Sequence, residues 1–149
     1  MTGHPIDVAL SYASEQENYV ERVARELIQS GVNTFFAPFE KTELWGEDLV
    51  PYLERVFRDL ATLCVMFISK EYVSKAWPIH ERRSALARQL EDQSVYILPV
   101  RFDDAPVPGL STTIQYLRAK DYTEGQLAEA IRKKLKKAGC REETSISTS

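Results

Sequence analysis

"TLCVMFIS", residues 62–69, is the most apolar run in the chain. A short, unbroken apolar run reads as a strand covered on both faces, as at the centre of a parallel sheet. Its neighbours carry a different period. Upstream, Leu49, Leu53, Val56, Phe57 and Leu60 recur at helical spacing. Downstream, beyond a short irregular link "KEYVSKAW" (70–77), Ile79, Arg83, Leu86 and Leu90 do so again, with Arg83 at the edge of the apolar face. The pattern extends outward. "IDVALSY" (6–12) is a second buried strand, followed by Ser14 and Glu17 at capping-box spacing and a helix through Val20, Val23, Ala24, Leu27 and Ile28 that Gly31 ends. "VNTFFA" (32–37) and "SVYILPVRF" (94–102) are further strands, and "IQYLRA" (114–119) a short edge strand. Thr123 and Gln126 repeat the capping-box spacing before Leu127, Ile131 and Leu135. Strands therefore alternate with helices throughout, which predicts a five-stranded parallel sheet with helices on both faces. The usual order for five such strands is 2-1-3-4-5, the flavodoxin-like arrangement.

The remaining bounds are simple. A chain of 149 residues, 44% hydrophobic and 28% charged, is one ordinary globular domain. We assign residues 1–138 to the domain and the apolar-poor stretch 139–149 to a polar, disordered tail. A net charge of −3 argues against a direct nucleic-acid or anionic-membrane binder. The lysines at 133, 134, 136 and 137 suit a helix C-terminus rather than a nucleic-acid patch. Two cysteines, Cys64 in an apolar run and Cys140 near the end, make no disulfide framework. No apolar run reaches spanning length and the N-terminus carries no leader pattern, so the expectation is a cytoplasmic protein without a membrane partner.

In this fold class ligands sit where chain direction reverses beside strand one, between the loops leaving strands one and three. Here those are "SYAS" (11–14) and "ISKEY" (68–72), with the polar loop "PFEKTELWGED" (38–48) long enough to fold over them. The two histidines, His4 and His80, are far apart, and no zinc spacing, phosphate-binding glycine loop or nucleophile elbow is present. What remains is one carboxylate with aromatics and hydroxyls. Glu81 follows Trp77 by four residues; if Pro78 opens a helix, the two lie near its first turn on roughly one face. A lone carboxylate suffices when the leaving group needs no acid. The bond from ribose to the cationic pyridinium of NAD is such a case, because nicotinamide departs neutral and the sugar passes through an oxocarbenium-like state. Each residue also has a plainer role. Glu81 would complement a helix N-terminus, Ser14 and Ser69 would be caps, Tyr12 would cover the sheet edge, Trp77 would be core and Lys41 a solvated lysine. Trp45, an aromatic in a polar loop, fits a ligand or partner surface better than a core.

Taken in order, "DVALSYAS", "FFAPFEKTELWGEDL", "CVMFISKEYVSKAW", the W-x-x-x-E of Trp77 and Glu81, and "YILPVRFDD" resemble a TIR (Toll/interleukin-1 receptor) domain of the prokaryotic, NAD-cleaving type over about residues 5–137. The resemblance implies a flavodoxin-like fold and an NAD+ nucleosidase with Glu81 as the catalytic carboxylate. Tyr12, Ala13 and Ser14 after strand one, Lys41 and Trp45 in the loop after strand two, Ser69 ending strand three, and Trp77 would contact NAD+. NAD+ is then substrate, with no metal or separate cofactor. Some relatives carry arginines where this chain has Ala13 and Ser14, which would leave pyrophosphate to backbone amides. The product would be ADP-ribose or a cyclic isomer, in defence or signalling, with self-association or an activating partner protein. The alternative is a non-catalytic interaction module acting by homotypic assembly.

Overall fold

A computed structural model describes residues 5–92 and 96–148; within it, residues 76–80, 90, 92 and 140–148 are described by backbone alone. Five parallel strands form one sheet in the order β2-β1-β3-β4-β5, as the alternation predicts. They are β1 (Ile6–Ser11), β2 (Thr34–Phe35), β3 (Ala61–Ile68), β4 (Ile97–Arg101) and β5 (Leu117–Arg118). The helices are α1 (Glu17–Gln29), α2 (Lys41–Leu44), α3 (Leu49–Arg55), α4 (Lys70–Ser74), α5 (Ala76–Asp92) and α6 (Glu124–Thr148).

The two-residue period of the strands divides the core in two. Val8, Leu10, Val65 and Phe67 face α1 and α6, meeting Val20, Val23, Leu27, Leu127 and Ile131. Ala9, Cys64, Met66 and Ile68 face the other way, toward Leu53, Phe57, Tyr72 and Ala85. Each large buried side chain contributes roughly 1.5–3 kcal/mol. On the opposite face β1 contributes the small residues Ala9 and Ser11, which leaves room beside its carboxyl end.

Several local expectations are corrected. The second strand is two residues rather than six, because only Val8↔Thr34 and Ala9↔Phe35 keep register before the chain turns away. The segment 38–48 is mostly turns of helix: a 3-10 turn, Ala37–Glu40, runs into α2. The irregular link after β3 is helix α4, started by Ser69, whose Oγ accepts from the Tyr72 amide at 3.0 Å. The capping box at Ser14 and Glu17 does not form. A 3-10 turn, Ser14–Gln16, intervenes, so α1 starts one register later with Gln16 at its cap and no side-chain capping bond. The second box does form, Thr123 Oγ1 accepting from Gln126 N at 3.1 Å and Thr123 N donating to Gln126 Oε1 at 2.9 Å. On α5 Arg83 is exposed, and Arg82 and Arg88 are buried instead. Both are satisfied by backbone carbonyls, Arg82 by Tyr72 and Val73 and Arg88 by Ala61. Ile79 and Leu90 lie outside the described side chains, and the first residues expected of the fourth strand, 94 and 95, and His4 lie outside the described residues. The backbone of α6 runs on to Thr148, through residues 139–148 that composition reads as a disordered tail; once nucleated, a helix extends without an apolar face.

Candidate active site at the carboxyl ends of β1 and β3

Ser11 is the last residue of β1, opposite Met66 of β3, and alternation points it to the small-residue face. There its Oγ lies 2.6 Å from the hydroxyl of Tyr72, and both residues are fully buried. The Ser11 hydroxyl also acts on the carboxyl of Glu81, which the second turn of α5 delivers, and favours its ionised form. Glu81 keeps a margin of solvent contact while its carboxyl is largely withdrawn from water. That desolvation pushes it up to about 8, and the Ser11 hydrogen bond pulls the other way. The shift favours the protonated carboxyl at neutral pH.

The surroundings are neutral. Burial raises the thiol of Cys64 and the phenol of Tyr72, and the nearby Glu81 raises both further. Tyr12 is raised by burial first, then by Glu17 and Glu81; its ring stacks on Phe36 at 5.4 Å between centroids. Arg82 sets its guanidinium over the Tyr72 ring at 5.8 Å and ties the start of α5 to the end of α4.

Two bridges hold the walls of the crevice together. Ser69 Oγ donates to Gln16 Oε1 at 3.1 Å while it caps α4. Lys75, between α4 and α5, reaches Ser14 Oγ at 3.0 Å and Glu15 Oε1 at 2.8 Å. The ammonium holds the Glu15 carboxyl below its usual range. It also sets a positive charge at the loop after β1. From the loop after β4, Asp103 Oδ2 accepts from the Lys70 amide at 2.9 Å and steadies the first turn of α4.

Glu81 is near enough to Tyr12 to raise its phenol, and Ser69 bonds Gln16 at the start of α1 and the Tyr72 amide of α4. Ala13 is buried and offers its backbone only, while Ser14 lies at the rim. Lys41 and Trp45 are exposed on and just after α2, and among the described residues no hydrogen bond or ion pair joins them to the Glu81 cluster. The backbone places Trp77 in the first turn of α5, four residues before Glu81; its side chain lies outside the described ones. Sequence reasoning missed Ser11, Gln16, Tyr72 and Lys75. For Tyr72 the available signal was a helix start at Ser69, which would have turned its side chain under the sheet. An apolar cleft of about 610 Å3 lies elsewhere, between β4, β5 and α6, and contains none of the candidate residues.

A flavodoxin-like sheet with a desolvated carboxyl at its switch point, faced by aromatic and hydroxyl groups, defines a class. Residues 8–135 match the family described as TIR domain, and the chain belongs to that family. Over 131 residues it is 45% identical to the 3' cyclic ADP-D-ribose synthase AaTIR of Aquimarina amphilecti, covering 88% of this chain and 40% of that protein. The chain thus spans well under half the length of that curated relative. Among solved structures it is similar to the TIR-STING receptor of C. gigas (TM-score 0.65, 18% identity, 88% of this chain and 40% of that one). It is also similar to the TIR domain of the Toll-related receptor TRR-2 of Hydra magnipapillata (TM-score 0.61, 16% identity, 92% of this chain and 97% of that one). Among the described residues no helix is long and apolar enough to cross a membrane.

Proposed function

We propose that this chain is an NAD+ nucleosidase: it cleaves the bond from ribose C1' to the pyridinium nitrogen, with Glu81 as the catalytic carboxylate. The observation that carries the reading is the Glu81 carboxyl, withdrawn from water beside Ser11 at the carboxyl end of β1. The identity to a cyclic ADP-ribose synthase over most of this chain supports it. In the reaction the bond electrons pass to the pyridinium nitrogen and nicotinamide leaves neutral. Water, or a hydroxyl of the same molecule, then attacks the ribosyl cation and gives up its proton. The first route yields ADP-ribose and the second a cyclic isomer, the class named for the relative.

Glu81 acts by charge. A cationic pyridinium brought beside it favours the ionised carboxyl, so its charge offsets part of the cost of desolvation and readies the carboxylate as the ribosyl cation develops. Tyr12, Ser69 and Trp77 form the proposed pocket wall, and Ala13 and Ser14 offer backbone amides to pyrophosphate. Lys41 and Trp45 join on closure of the segment that holds α2. NAD+ is substrate, and no other cofactor enters. The catalytic unit is residues 1–138, and it works in the cytoplasm.

Trp45 is 86% exposed and Phe39 38%, an aromatic pair that supports a role for this segment in self-association or in docking an activating protein. The non-catalytic reading rests on that surface alone. Nicotinamide release from NAD+ by concentrated protein, with Glu81→Gln as control, separates the two readings. Release by the wild type and none by the variant is expected. Equal release by both removes Glu81 from the chemistry, and none by either leaves the interaction module.

A further inference from the structure

A phenylalanine would fill the place of Tyr72 as well as tyrosine does, because the ring is fully buried. The hydroxyl therefore needs its own account, since a buried polar group is costly unless it is bonded. Among the described residues its hydrogen-bond partner is Ser11 Oγ, at 2.6 Å, itself buried at the end of β1. Ser11 in turn acts on the Glu81 carboxyl and favours its ionised form. The three groups come from three elements, α4, β1 and α5, and form one chain that ends on the carboxyl.

A serine hydroxyl has one hydrogen. If it is given to an ionised Glu81, the Ser11 oxygen must accept, and Tyr72 is the donor in reach. We propose that Tyr72 is a positioning residue for Glu81, acting through Ser11. Its hydroxyl donates to Ser11 Oγ, which commits the Ser11 hydrogen to the carboxylate and fixes that carboxylate's orientation and charge. Successive hydrogen bonds polarise one another, so the Tyr72 bond strengthens the one from Ser11.

The other titratable groups facing Glu81 are Tyr12 from the end of β1 and Cys64 from β3. Both are held neutral by burial. The α5 arginines act at one remove, Arg82 on Tyr72 and Arg88 on Cys64. Among the described residues, the hydroxyl chain is what favours the ionised carboxyl. The catalytic consequence rests on the function proposed above; the chain itself does not.

The test uses Tyr72→Phe and Ser11→Ala in the full chain, with two readouts. One is the titration of the Glu81 side-chain carboxyl by 13C NMR, without substrate. The other is the pH profile of nicotinamide release from NAD+. The midpoint should rise by roughly 0.2–0.5 unit in Tyr72→Phe and by about 1–2 units in Ser11→Ala. Below the midpoint kcat/KM should fall about 2–3-fold and about 10–100-fold respectively, recovering toward wild type at higher pH. A merely structural Tyr72 would lower melting temperature and leave the midpoint alone. A Tyr72→Phe midpoint equal to wild type overturns the proposal, whatever the activity. Should Ser11→Ala not fold, the Tyr72→Phe titration alone decides. A wild type inert toward NAD+ whose midpoint still moves in Tyr72→Phe sinks the enzyme reading and leaves the chain standing.

Discussion

Glu81→Gln should stabilise the protein in alkaline solution and leave its stability unchanged in acid. Glu81 titrates at about 8 in the folded chain, against an ordinary 4.5. Between those values the folded chain keeps a proton that the unfolded chain has released. Stability therefore falls as pH rises across that window. It is whole below the unfolded value, and the loss is complete once pH has passed the folded one. The full displacement would amount to ~5 kcal/mol at about 1.4 kcal/mol per unit. Glu81 keeps some contact with water, whose screening brings the working magnitude to about 2 kcal/mol. Glutamine has nearly the same shape, can still accept from Ser11 and carries no charge, so the variant lacks this slope. For a domain of this size ~2 kcal/mol is roughly 5–8 °C in melting temperature. Thermal melts of both proteins at about pH 3.5, below the unfolded value, and about pH 9, above the folded one, give the comparison. The variant should match wild type at the first and exceed it by ~6 °C at the second. An equal difference at both pH values would mean that Glu81 is an ordinary solvated carboxylate, and the argument from desolvation to chemistry would fail.

Ser69→Ala removes the cap of α4 and the bond to Gln16, and should cost about 1–2 kcal/mol in urea unfolding; a loss within error would show that the crevice wall is held by other means. Gly46 has φ +85 with no neighbour within 4 Å of an added Cβ, so Gly46→Ala should cost about 1 kcal/mol through backbone strain alone. Proline cannot adopt that φ, so Gly46→Pro should break the turn after α2 and lower activity with Glu81 left in place. Trp45→Ala, at an 86% exposed site, should leave melting temperature unchanged and lower specific activity only where activity rises with protein concentration. A flat concentration profile in wild type would remove the assembly requirement.

The fold was legible because its period is. Val8, Leu10, Val65 and Phe67 alternate with Ala9, Cys64 and Met66, and the helices return bulky residues at 3.6-residue spacing to both faces. α5 was read less well. Its buried face carries Arg82, Ser84, Ala85 and Arg88, which no apolar pattern marks; the two arginines are there for the carbonyls of Tyr72, Val73 and Ala61. Glu81 was visible as an oddity beside Trp77, but Ser11 and Tyr72 were not. Their link spans 61 residues and depends on α4 being a helix, which the polar letters of "KEYVSK" hid. Ser14 was misread for a related reason. A capping box is a local pattern, and here a lysine from the far wall, Lys75, meets the serine instead.

The outer strands of the sheet, Thr34–Phe35 and Leu117–Arg118, are two residues each, against six and eight in the strands at its heart. A short edge offers an incoming chain almost no ladder to continue, so the sheet is a poor seed for amyloid-like stacking even in a crowded cell. Strand-to-strand joining at the sheet edges is thereby disfavoured when copies of the domain are crowded together. Any device that switches on by crowding needs that property, because a cluster that fused strand to strand could never be taken apart again.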